Sequence, residues 1–219
     1  MKSNEVLQKD VQDAIKWEPL LKAAEIGVTV KDGVVTLTGV VDSYMKKLEA
    51  ESATKKVAGV KAVVEKITIK VCNSCLKTDG EIAKEILNAF MWNWEIPNNK
   101  INIKVEAGWV TIDGQLEWNS EREAAKKAIS KLLGVVGVTN NITIASEVKD
   151  NVEKLAIERA IARNWSLDDK NIQVNVDGNK VIIRGTVDSW YQKEEAGRIA
   201  WNAPGVLVVD NELSVDYYD

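Results

Sequence analysis

The chain contains no histidine among its 219 residues. This removes the side chain that titrates nearest neutral pH and the commonest zinc ligand. Asp and Glu number 33, but they form no paired motif of the kind that acid–base chemistry needs, so no enzymatic activity is expected. Cysteine is almost absent too, with only Cys72 and Cys75 in Cys72-Asn73-Ser74-Cys75. A structural zinc requires four ligands and this pair supplies two. A redox C-x-x-C expects a thioredoxin-like context, whereas this one lies between repeats. Incidental thiols of a reducing compartment are the simpler reading, and no metal or other cofactor is expected.

Long apolar runs are also missing. No stretch approaches the roughly 18–20 residues that span a bilayer, so no transmembrane segment is expected. Met1-Lys2-Ser3-Asn4-Glu5 leads into an amphipathic pattern without the apolar centre of a signal peptide. Read literally this means a cytoplasmic location, or a periplasmic one if a signal has been removed. Concentrated positive charge is lacking as well. Residues 1–75 hold 12 Lys/Arg against 10 Asp/Glu, residues 76–145 hold 8 against 9, and residues 146–219 hold 9 against 14. Nucleic-acid binders gather positive charge to displace phosphate counterions, so nucleic acid is not an expected partner.

What the chain does have is repetition. Asp32-Gly33-Val34-Val35-Thr36-Leu37-Thr38-Gly39-Val40 returns as Ala107-Gly108 through Gly114 and as Asp177-Gly178 through Gly185. The spacings between Gly39, Gly114 and Gly185 are 75 and 71 residues. Gly33, Gly108 and Gly178 mark hairpin turns that need φ > 0. Gly39, Gly114 and Gly185 are expected to serve the backbone, by positive φ or by close approach of a neighbouring element. The third copy has one more residue between its two glycines, which a longer turn or a bulge would absorb.

Each repeat reads helix, strand, strand, helix, strand. Leu7, Val11, Ala14 and Ile15 form a helical apolar stripe, matched by Ile82, Ile86, Ala89 and Phe90 and, after Glu153, by Ile157, Ala160 and Ile161. Ile26, Val28 and Val30 alternate as a half-buried strand does, as do Ile101, Ile103, Val105 and Ile172, Val174, Val176. The second helix begins after Asp42-Ser43, Glu117-Trp118-Asn119-Ser120 and Asp188-Ser189, with capping-box spacing at Ser120 and Glu123. Gly59, Gly134 and Gly205 fall where such helices end. Three units are expected, at residues 1–71, 76–145 and 146–219, joined by the short links Val71–Thr78 and Ala145–Lys149. Units of about 70 residues sit near the lower edge of independent stability, so neighbours are expected to pack on one another.

The D-G-x-V-x-L-x-G-x-V element, the Ala-rich helix and the ending G-V-x-x-V-x-N-x-[IL]-x-[IV] closely resemble the BON domain, a small bacterial module. The ending is clearest in Gly134-Val135-Val136-Gly137-Val138-Thr139-Asn140-Asn141-Ile142-Thr143-Ile144 and in Gly205-Val206 through Val209-Asp210-Asn211-Glu212-Leu213-Ser214-Val215, while the first copy has Glu65 in place of the Asn. The resemblance implies an α+β fold of three tandem αββαβ units, each with two helices on a three-stranded mixed sheet. It also implies phospholipid or cell-envelope association, or a stress role, without catalysis.

Two groups of residues are candidates for contact with a lipid surface or a protein partner. Tyr44, Trp118, Trp190 and Tyr191 gather where the second strand leads into the second helix, and amphipathic rings there suit a membrane interface or a partner surface. Packing over helix ends is the competing account. Lys46, Lys47, Lys55, Lys56, Lys61 and Lys66 make the second half of the first repeat basic and would attract anionic headgroups, with Lys46, Lys47, Lys55 and Lys56 as the candidate contacts, although a solvated helix face explains them as well. Trp94 and Trp165, each preceded by Asn, occupy matching positions and are expected to pack in the core or between units. The function expected is phospholipid-surface association in a stress or transport-associated role. A protein-interaction scaffold and a holdase-like stress protein are the alternatives, and the oligomeric state is open.

Overall fold

The computed structural model describes residues 3–70, 77–145, 152–167 and 171–215. Cys72 and Cys75 lie outside the described residues, as do most of the two links.

In the first repeat, α1 (Asn4–Trp17) is capped by the Ser3 hydroxyl, which accepts from the Val6 N–H at 3.3 Å, and it buries Leu7, Val11 and Ile15. β1 (Ile26–Lys31) pairs antiparallel with β2 (Val34–Val41). After α2 (Tyr44–Lys55), β3 (Ala62–Ile69) lies beside β2. The second repeat comprises α3 (Asp79–Met91), β4 (Ile101–Glu106), β5 (Trp109–Leu116) and α4 (Asn119–Ser130). Its last strand is in two pieces, β6 (Gly137–Asn140) and β7 (Thr143–Ile144), both parallel to β5. The third comprises α5 (Lys154–Ala162), β8 (Ile172–Asp177), β9 (Lys180–Val187), α6 (Trp190–Trp201) and β10 (Val208–Val215), with β10 parallel to β9. This is αββαβ three times over. The hairpin supplies the antiparallel pair, and the second helix is the crossover that a parallel strand requires.

The chain divides into two compact units. One is built from Met1–Gly39, Glu49–Lys66 and Val148–Asp219, the other from Val40–Leu48 and Ile67–Glu147. In the first, Val11, Val35 and Leu37 are fully buried, and the third repeat seals Ile157, Ile161, Val174, Ile183, Ala196 and Leu213 between helices and sheet. In the second, Ile86, Phe90, Val110, Ile112, Leu116 and Ile129 form the core, and Tyr44 of the first repeat is part of it. The repeats therefore share apolar surface, as their size demands.

Two local expectations are corrected. The third hairpin has no extra residue: Asp177 pairs with Lys180, so Gly178-Asn179 fill the two turn positions that Asp32-Gly33 and Ala107-Gly108 fill elsewhere. The turn glycine has moved one place earlier, and the strand register is unchanged. The Ser120/Glu123 cap does not form, because α4 starts one residue before Ser120. There Glu121 accepts from the backbone N–H groups of Glu117 and Trp118, both at 3.1 Å. The reciprocal capping box belongs to α3, where Glu81 N donates to the Thr78 hydroxyl at 3.3 Å and Thr78 N donates to the Glu81 carboxylate at 2.8 Å. These bonds from Thr78 hold the Glu81 carboxyl below its usual range.

Gly39, Gly114 and Gly185 have φ of +137°, +157° and +127°. A Cβ there would collide with the carbonyl oxygen of Glu25, Lys100 or Asn171, just before the paired first strand. Both expected reasons for glycine apply at one position.

Candidate tryptophan surface

The first helix of every repeat ends at one edge of the sheet. The first strand starts there and the second strand finishes there, since Ile26, Ile101 and Ile172 pair with Gly39, Gly114 and Gly185. That end also carries the start of the second helix. In the second repeat a Lys100–Glu117 ion pair of 2.8 Å ties the two connections together. In the third, the Gln192 side-chain amide donates to the Ser166 carbonyl at 2.8 Å.

Tryptophans stand out from these ends. Trp17 is 82% exposed, Trp92 84%, Trp94 92% and Trp165 96%. Trp94 and Trp165 thus face solvent instead of packing in the core or between units. The reason is local: Asn93 Oδ1 accepts from Glu95 N and Asn164 Oδ1 from Ser166 N, each at 3.0 Å. These Asx turns put the intervening tryptophan at the tip of the loop. The Asn-Trp pair was therefore the available signal, and its meaning is presentation rather than packing.

The four aromatics where the second strand leads into the second helix divide. Trp118 is 44% and Tyr191 39% exposed. Tyr44 is buried in the second unit's core instead of facing solvent. Trp190 is half-buried within the first unit, its indole N–H donating to the Lys61 carbonyl at 3.1 Å, with the Lys55 ammonium 6.0 Å from its ring centre.

Lys46, Lys47, Lys55 and Lys56 are engaged with the protein itself. Lys46 pairs with Asp42 at 2.7 Å and Lys56 with Glu18 at 3.2 Å. Lys55 reaches both Glu51 at 2.9 Å and Glu194 at 2.7 Å. Lys47 donates to the Ile67 carbonyl at 3.4 Å, and Lys193 does the same to Leu213 at 2.6 Å in the third repeat. Burial would lower the Lys55 pKa, but the two carboxylates outweigh it and raise it. The Lys46 hydrogen bond holds the Asp42 carboxyl below its usual range. Lys46, Lys55 and Lys56 are thus each neutralised by carboxylates of the protein itself.

Among the described residues, no three or more Cys, Asp or Glu side chains come together as a metal site, and no helix is long and apolar enough to cross a membrane.

The BON domain family model matches residues 3–71, 78–146 and 149–217. Osmotically-inducible protein Y of Escherichia coli (strain K12) is 27% identical over 143 residues, which is 62% of this chain and 71% of that protein. Among solved structures, CdsD, a structural protein of the type III secretion system of Chlamydia trachomatis, aligns with a TM-score of 0.27 and 16% identity over 96% of this chain and 92% of its own. The CdsD C-terminal domain aligns with a TM-score of 0.26 and 15% identity, covering 98% of each chain. TM-scores this low lend those two structures no weight for this chain. The three αββαβ units, their paired glycines and the matched family model agree: the chain belongs to the BON domain family and is a tandem, non-enzymatic binding module of three such domains.

Proposed function

We propose that this chain associates with phospholipid surfaces through the exposed tryptophans at the ends of its first helices, in a stress-linked role. The name of its Escherichia coli relative, an osmotically inducible protein, supports the stress setting. The observation that carries the lipid reading is the exposure of Trp17, Trp92, Trp94 and Trp165, a solvent-facing indole in every repeat. Leaving such rings in water is costly, since burying a large apolar side chain is worth about 1.5–3 kcal/mol. Indoles also favour the headgroup layer, where one edge stays polar. A free lysine near an anionic surface contributes only about 1 kcal/mol, and three of the four candidate lysines are already paired with carboxylates. Binding led by tryptophan insertion is therefore expected to tolerate salt.

Co-sedimentation with zwitterionic and anionic vesicles at low and high salt, with tryptophan emission recorded alongside, tests this. Pelleting with a blue-shifted emission in both salts supports the reading. No pelleting with either vesicle, together with a stable protein partner in a pull-down, would replace it with the protein-interaction scaffold.

A further inference from the structure

The outward face of the second repeat's sheet carries a different aromatic feature. Trp109 on β5 is the register partner of Gly137 on β6. Its six-membered ring lies over that glycine, where any Cβ would collide with it. The indole N–H donates to the Thr139 hydroxyl at 2.8 Å, which fixes the ring's orientation on the sheet. Covering a glycine with an aromatic ring is a known packing device, yet half of Trp109 remains exposed.

Around it lies an ordered polar grid whose charges sum to a single negative one. Glu106 flanks Trp109 in the first row, Lys104, Thr111 and Thr139 form the next row along the strands, and Asn102, Asp113 and Asn141 the row after that. Asn141 Nδ2 donates to Asp113 Oδ1 at 2.9 Å, and at the margin Lys104 and Glu106 neutralise one another at 2.9 Å. Rows are about 6.8 Å apart and strands about 4.8 Å apart, the scale of a single sugar ring. The other repeats lack this arrangement. Val34 and Lys180 stand where Trp109 does, and ion pairs Lys180–Asp210 and Arg184–Glu212 cross the third sheet.

We propose that this face is a saccharide-binding surface for a β-linked, gluco-configured glycan. Equatorial hydroxyls leave the axial C–H groups of such a sugar as a flat apolar patch. That patch stacks on the free half of Trp109, while the threonine, asparagine and aspartate side chains exchange hydrogen bonds with the ring hydroxyls. The lack of net charge beyond Asp113 matches a neutral polyol and offers nothing to a phosphate or a polyanion. This surface is independent of the exposed tryptophans on the helix ends and does not rest on the lipid reading.

The test is a ¹H–¹⁵N NMR titration of the full chain with cellohexaose and chitohexaose, with maltohexaose as the helical α-linked contrast. Shifts should concentrate on the Trp109 indole N–H, Thr111 and Thr139, with a Kd on the order of a millimolar for at least one β-linked probe. Trp109→Ala should weaken binding at least about tenfold, and Trp109→Phe should retain most of it. If uncovering Gly137 unfolds Trp109→Ala, Asn102→Ala and Thr111→Val leave the platform intact and should each cost a few-fold. No shifts with either β-linked probe up to about 10 mM, equal binding of maltohexaose, or affinity untouched by these variants would overturn the assignment.

Discussion

Asn211 joins the last strand to the second helix of the third repeat, its Nδ2 donating to the Lys193 carbonyl at 2.7 Å while its Oδ1 accepts from Leu213 N at 3.3 Å. Asn140 makes the same two contacts in the second repeat, with Arg122 at 3.4 Å and Ile142 at 3.1 Å. The asparagine of the N-x-[IL] pattern is thus a hydrogen-bond bracket, using donor and acceptor together. Replacing Asn211 by Ala leaves a carbonyl and an N–H without it, an expected loss of about 1–3 kcal/mol. Urea denaturation checks this, and a loss below about 0.3 kcal/mol would show that water substitutes freely.

Gly114→Ala combines φ of +157° with a Cβ driven into the Lys100 carbonyl oxygen. The backbone must move, so a loss of at least about 1 kcal/mol is expected. Gly80 is the internal control: it lies in the first turn of α3, with nothing within 4 Å of an added Cβ. Gly80→Ala should leave the melting temperature unchanged or raise it, because alanine is the better helix former. Equal effects of the two substitutions would refute this account.

Repeats, glycines and apolar periodicity made the αββαβ plan legible, because strand and helix faces are local patterns. Glycine is a misleading landmark for the third turn, because the register follows Ile172, Val174 and Val176. Tyr44 and Trp94 show what local pattern cannot reach. Tyr44 is buried because a core residues away in sequence accepts it, and no feature near it announces that. Trp94 is exposed because Asn93 turns the chain, a signal that was present beside it. The lysines read as a charge patch in the sequence because it does not show that Lys46, Lys56 and Lys55 pair with Asp42, Glu18 and Glu194.

Acid should act through Glu195. The Arg198 guanidinium donates to both of its oxygens at 2.8 and 2.6 Å, Asn164 adds a third bond at 2.8 Å, and the carboxyl is held below its usual range. A carboxyl depressed in the folded state contributes its full stability above the unfolded value, about 4.3, and loses it as pH falls through the folded value. The stability gap between wild type and Glu195→Gln should be present at pH 7 and shrink toward pH 3. Solvent screening limits it to about 1 kcal/mol or less. Urea midpoints across that range provide the measurement, and a gap that does not change with pH would remove Glu195 from the acid response.

Trp94→Ala and Trp165→Ala separate presentation from packing. Each side chain is more than nine-tenths exposed and sits at the tip of a turn held by the preceding asparagine. Removing it deletes little buried area, so thermal stability should change by no more than about 0.5 kcal/mol. Trp190→Ala should cost more, because it removes a half-buried ring and leaves the Lys61 carbonyl without the indole donor. Vesicle affinity should show the opposite order: the Trp94 and Trp165 variants pellet less with zwitterionic vesicles, and the double variant least of all. Calorimetric unfolding and co-sedimentation on the same preparations give both orders. If the two exposed tryptophans proved costly to stability but irrelevant to vesicles, their role would be structural after all and the lipid surface would have to lie elsewhere.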